Sequence, residues 1–138
     1  QKRQPFKHGF SGMWDVSAGG SAVAGETSSD AAMREAFEEI GVKLDLNGVR
    51  PHYSVSYDEG FDDWYVVKAD PDITGLKLQY EEVEAVEWAT EDEIFEMMDK
   101  GEFIPYFKGY ISTIFHTADQ YGSIREKHNN LPRSALRG

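Results

Sequence analysis

The sequence predicts an α/β domain. Three observations carry that: segments with strand period joined by a turn signal, segments opened by helix caps, and the alternation of the two along the chain. The chain has 138 residues, of which 40% are hydrophobic, enough for a single core. One domain is expected over residues 1–121. A C-terminal tail over 122–138, with little periodicity, is expected to be mobile.

The chain opens on Gln1-Lys2-Arg3 without an initiator Met, so it is expected to be a part of a longer one. Gly9, Gly12, Gly19, Gly20 and Gly25 mark a turn-rich stretch, with a short strand over Met13–Ser17. Thr27-Ser28-Ser29-Asp30 is a capping-box start for a helix that runs to Ile40, where Gly41 stops it. Val42–Leu46 reads as a strand. Pro51, Tyr53, Val55 and Tyr57 alternate with polar residues, Asp58-Glu59-Gly60 supplies a turn, and Asp63–Ala69 follows as a second strand, so the pair reads as a hairpin. Asp70-Pro71-Asp72 breaks the pattern before a strand over Val83–Ala89. Thr90, with Glu93 three residues on, caps a helix through Lys100 that Gly101 ends. Pro105 opens a last helix over Tyr106–Tyr121. Strands joined by hairpins predict a mixed or antiparallel sheet packed by helices.

Lys and Arg number 14 against 25 Asp and Glu, a net charge of −11. That balance argues against a protein that grips nucleic-acid backbone, which needs a basic surface. The absence of cysteine excludes disulfides, thiolate metal sites and cysteine nucleophiles. No apolar run reaches the roughly 18 residues of a membrane span, and no signal-peptide core opens the chain. A cytoplasmic protein is expected.

Glu35, Glu38 and Glu39 stand at i, i+3 and i+4 of the first helix, so all three leave from one side. Adjacent carboxylates repel unless a positive charge sits among them. Arg34 relieves part of this, and a divalent ion such as Mg²⁺ or Mn²⁺, which prefers hard oxygen ligands, would relieve more. Ala32, Ala36, Phe37 and Ile40 form the expected core stripe on the opposite side. Taken alone, such an acidic side is usually just solvated.

The flanking residues change that reading. The full string is Gly20, five residues, Glu26, seven residues, Arg34-Glu35-Ala36, one residue, Glu38-Glu39, one residue, Gly41-Val42. This string resembles the Nudix box, the signature of the Nudix hydrolases, at every fixed position. The order of strands and helices around it also resembles the Nudix α/β/α sandwich with a mixed sheet, with one departure: that fold begins with a complete strand, and Gln1-Lys2-Arg3 matches only its end, so the N-terminal strand is expected to be incomplete. The segment Gly12–Gly20 is similar to the branch near isopentenyl-diphosphate isomerase, but Gly19 stands where that enzyme has its cysteine, so isomerase chemistry is disfavoured.

The resemblance implies metal-dependent hydrolysis of a diphosphate linkage in a nucleoside diphosphate derivative, with Mg²⁺ or Mn²⁺ as cofactor and a small-molecule diphosphate as partner. It also suggests a homodimer. It assigns Glu35, Glu38, Glu39 and the Gly20 carbonyl to the metal. It makes Glu26 and Arg34 a structural ion pair, which is compatible with Glu26 as a first-turn acid favoured by the helix dipole. The general base stays open between Glu38, with Glu39 beside it in the box, and a later group of Glu81, Glu82 and Glu84, of which Glu82 is the candidate. Arg3 or Lys2 is a candidate phosphate contact, against an ordinary strand-end charge. Tyr57, Phe61 and above all Trp64 are candidates for stacking on a base, against ordinary core packing. His8, His52, His116 and His128 show no metal-ligand spacing. The alternative function is a non-catalytic, regulatory Nudix ligand-binding domain; such domains often have an eroded box, and this one is intact.

Overall fold

The computed structural model describes residues 1–125. In chain order the elements are β1 (Lys2–Arg3), α1 (Ser28–Ile40), β2 (Tyr53–Tyr57), β3 (Gly60–Trp64), a 3-10 turn (Ile73–Gly75), β4 (Val83–Ala85), α2 (Glu91–Asp99) and α3 (Lys108–Thr117). Residues 126–138, most of the expected tail, lie outside the described residues.

The central ladder is mixed. β1 pairs antiparallel with β4, Lys2 opposite Ala85 and Arg3 opposite Val83, with an irregularity between them. On its other side Lys2 bridges Trp14 antiparallel, and Trp14 bridges Phe103 in parallel. Backbone bonds from Arg3 N to Met13 O (2.9 Å), Trp14 N to Glu102 O (2.8 Å) and Ile104 N to Trp14 O (2.9 Å) lace these segments together. The chain is thus an α/β fold with mixed strand directions.

The expected strand over Met13–Ser17 pairs only around Trp14. The Asp15 carboxylate accepts the Val16 N–H at 2.7 Å, which withdraws that donor from the ladder. Val42–Leu46 is not a strand. Gly41, left-handed at φ 73°, ends α1 with its N–H on Phe37 O, and Val42 N–H turns back to Ala36 O at 3.3 Å. The segment then stays on the helix, with the Leu46 N–H on the Met33 sulfur and the Leu46 side chain buried.

The hairpin has a two-residue turn, Asp58-Glu59, so Tyr57 faces Gly60 and Tyr53 faces Trp64. Its second strand therefore begins three residues earlier than the expected Asp63. It ends early because the His52 ring nitrogen takes the Val66 N–H at 3.3 Å. β4 keeps only Val83–Ala85 of the expected Val83–Ala89, and α3 spans Lys108–Thr117 rather than Tyr106–Tyr121.

Both long-range helix starts are where the sequence puts them. Thr27 accepts from Asp30 N while Asp30 accepts from Thr27 N, and Thr90 and Glu93 do the same for α2. The buried apolar core consists of Ala31, Ala36 and Ile40 from α1, with Leu46, Val83, Phe103, Ile104 and Ile111. The inward side of α1 differs from the expected stripe. Phe37 is 52% exposed, Ala31 replaces it, and Glu39 is buried among these residues. A carboxylate thus sits on the packed side of the helix rather than opposite it. Among the described residues no helix is long and apolar enough to cross a membrane.

Candidate active site

Of the three glutamates of α1, two are turned inward and one outward. Glu39 is 5% exposed. The Glu35 side chain is 17% exposed and that of Glu38 is 46% exposed. A buried carboxylate must find donors. Glu39 Oε2 accepts the Gln1 side-chain amide at 2.5 Å, and the backbone N–H of Gly19 also donates to it. Its remaining neighbour is the Glu35 carboxyl, within hydrogen-bonding reach. Burial first, then the Glu35 carboxyl, push Glu39 up to about 7, against the pull of the Gln1 and Gly19 donors.

Gly20 forms the wall against which Glu35 rests. A Cβ at Gly20 would stand 2.4 Å from both Cδ and Oε1 of Glu35. The carboxylate therefore lies in space that only glycine leaves open, pressed to the backbone of the loop before α1.

Arg34 holds that loop on the helix. Its guanidinium grips Glu26 with two bonds, Nε to Oε2 at 2.7 Å and Nη2 to Oε1 at 3.0 Å, and Nη2 also donates to Ser21 O at 3.2 Å. Nη1 reaches Glu35 Oε1 at 2.8 Å and Glu38 Oε2 at 3.2 Å. Glu26 takes the Val23 N–H as well (2.9 Å). The Arg34 hydrogen bond, then that of Val23, hold the Glu26 carboxyl below its usual range. Three carboxylates surround one guanidinium, so the cluster keeps a negative excess.

Among the described residues no three Asp, Glu or His side chains already converge on one point. Glu35 converges on Glu39 while it also binds Arg34, and Glu38 is held by Arg34 away from the pair. A divalent cation fits the pair on the chemistry of its donors: two hard-oxygen carboxylates held close together, with neutral amides donating to Glu39.

The other candidates lie elsewhere. The Glu82 carboxylate is engaged by Lys7, and Glu84 pairs with Lys2 at 3.6 Å. Arg3 donates from Nη2 to Gly9 O at 3.3 Å, and its buried Nε has no partner. Trp64 packs edge-on against Tyr106, ring centres 5.5 Å apart. Trp64 thus meets Tyr106, whose hydroxyl donates to Asp15 Oδ1 at 2.6 Å. Burial, then the Asp15 charge and hydrogen bond, raise the Tyr106 phenol far above its usual range, and the Arg3 charge pulls the other way. Sequence reasoning missed Tyr106, Asp15 and Gln1. None carries a spacing signal, because each acts through a partner remote in the chain.

Comparison with known proteins gives consistent results. The family model described as NUDIX domain matches residues 1–107. An uncharacterized Nudix hydrolase of Listeria monocytogenes is 44% identical over 116 residues, 84% of this chain and 68% of the relative. One from Listeria innocua is 45% identical over 107 residues, 78% of this chain and 63% of the relative. The chain thus spans about two thirds of the length of these relatives. Among solved structures, the crystal structure of DR0079 from Deinococcus radiodurans aligns with a TM-score of 0.63 at 25% identity, covering 83% of this chain and 70% of that one.

Proposed function

Since the chain belongs to the Nudix hydrolase family, we propose that it cleaves a diphosphate linkage in a nucleoside diphosphate derivative and needs a divalent cation, Mg²⁺ or Mn²⁺, to do so. The observation that carries this reading is the convergence of Glu35 and Glu39 against Gly20, two hard-oxygen groups brought together in a desolvated place. Glu35, Glu39 and the Gly20 backbone would hold the ion, and Glu38 would join them on leaving Arg34. When bound, the ion offsets the charge of the diphosphate and polarises its phosphoryl oxygens.

The remaining steps fall to the chain's own groups. Arg34 keeps the loop and helix in register through Glu26 and Ser21. Glu38, the exposed carboxylate of the box, is the first candidate to take a proton from the attacking water. Glu82 would first have to release Lys7. Arg3, with a buried donor left unpaired, suits an anionic oxygen of the substrate, and Trp64 suits a planar group.

The test is phosphate release from a panel of nucleoside diphosphate derivatives with Mg²⁺, Mn²⁺ or chelator. The Glu38→Gln and Glu39→Gln variants run beside the wild type. Hydrolysis that stops with chelator and falls by orders of magnitude in both variants is the expected result. A folded protein that turns over nothing on the panel favours the non-catalytic ligand-binding domain instead.

A further inference from the structure

Gln1 stands outside the Gly20–Val42 string, yet it makes the shortest side-chain contact to the candidate site. Its amide donates to Glu39 Oε2 at 2.5 Å across 38 positions of sequence. Both side chains are buried, Gln1 at 9% and Glu39 at 5% exposure. The bond fixes the carboxylate in two ways. It occupies one oxygen, Oε2, of a carboxylate that also interacts with Glu35 and the Gly19 N–H. It also does so with a neutral donor, which adds no positive charge beside the carboxylate as a lysine or arginine there would. The chain uses that other solution nearby, where Arg34 binds Glu26, Glu35 and Glu38.

From these facts we infer that Gln1 is a positioning residue, which orients Glu39 toward a divalent cation without spending its charge. The inference rests on the metal-dependent reading above. Outer partners that orient a metal-binding carboxylate typically change metal affinity by about 10–100-fold when removed.

The contrast that tests it is with Gln4. That second glutamine is also buried, and its amide donates to the Val83 carbonyl at 3.3 Å rather than to the site. Gln1→Met and Gln4→Met each remove one buried amide and keep the side-chain volume. Mn²⁺ binding is followed by the electron paramagnetic resonance of the free ion, in the full chain, for wild type, both variants and Glu39→Gln. Thermal unfolding is recorded alongside. Gln1→Met is expected to weaken Mn²⁺ about 10–100-fold and to lower kcat with KM for the diphosphate little changed. Gln4→Met is expected to melt earlier with Mn²⁺ affinity intact. Should Gln1→Met not fold, Gln1→Asn, too short to span the bond, replaces it with the same expectation. Equal Mn²⁺ affinity in wild type and the Gln1 variant, with Glu39→Gln impaired, overturns the positioning role alone. Mn²⁺ binding that is absent from wild type, or unchanged in Glu39→Gln, overturns the metal reading and this inference with it.

Discussion

At Gly20 a methyl group and a carboxylate would compete for one place. Gly20→Ala sets Cβ where Cδ and Oε1 of Glu35 now lie, so the flexible side chain must swing away. Metal-dependent hydrolysis is expected to fall by at least about tenfold, a loss of roughly 1.4 kcal/mol of transition-state stabilisation. The melting temperature should hardly move, since Gly20 lies on an exposed loop. Unchanged hydrolysis would show that Glu35 works equally well from another position. Glu39 makes a prediction of opposite sign for stability. Its folded pKa is raised from 4.5 to about 7, so the folded, metal-free protein holds a proton that the unfolded chain releases. The stability this brings is full below pH 4.5 and is lost as pH rises through 7. In chelator, Glu39→Gln should therefore melt above wild type at pH 8 by roughly 2 kcal/mol of stability, and the gap should close at pH 4.5. A constant difference across that range would remove the titration as its cause.

At the scale of elements, the N-terminus of α1 is held by a reciprocal cap and its first loop by an ion pair. Thr27→Ala removes the acceptor for Asp30 N, 3.1 Å away, and is expected to cost about 1 kcal/mol. For a domain of this size that lowers the melting temperature by a few degrees, with activity at low temperature preserved. Arg34→Met should release the loop from the helix, lower thermal stability and impair hydrolysis together. It should also raise Glu26 toward the ordinary carboxylate range, with the Val23 N–H still holding it below. In wild type the lowered Glu26 contributes stability above its usual 4.5, lost as pH falls through the lower folded value. An acid-unfolding midpoint that does not shift in Arg34→Met would dissociate the pair from stability. The caps at Thr27 and Thr90 were legible because their partners lie three residues away. The hairpin was legible because Asp58-Glu59-Gly60 links two neighbouring alternating segments. Met13–Ser17 and Val42–Leu46 carry the same apolar residues as true strands. Their fate was decided by an Asp15 side chain that takes a ladder donor, and by a helix cap that turns the chain back.

Across the whole molecule, the site joins elements that sequence order keeps apart. The Gly20–Val42 string was readable because its parts lie on one loop and one helix. Its burial was not, because the expected apolar stripe put Phe37 inward and the carboxylates outward. Only the packing of Gln1 against Glu39 shows that α1 turns two acids toward the protein. Tyr106 is a second such junction, between Asp15 from the start of the chain and Trp64 from the hairpin. Tyr106→Phe keeps the ring and leaves Asp15 with one donor fewer, so a loss of about 1–2 kcal/mol in denaturant unfolding is expected. A variant as stable as wild type would show that solvent replaces the hydroxyl.

The inward acids have a consequence beyond catalysis. On the metal-dependent reading, a fold that seats two carboxylates together is least stable when empty. A cation that binds only the native chain then adds about 2.7 kcal/mol at a hundred times its dissociation constant. Increments of that size shift how often a chain opens and how fast proteases remove it. Divalent-ion supply would then set how much of the protein a cell retains, as well as how fast each copy works.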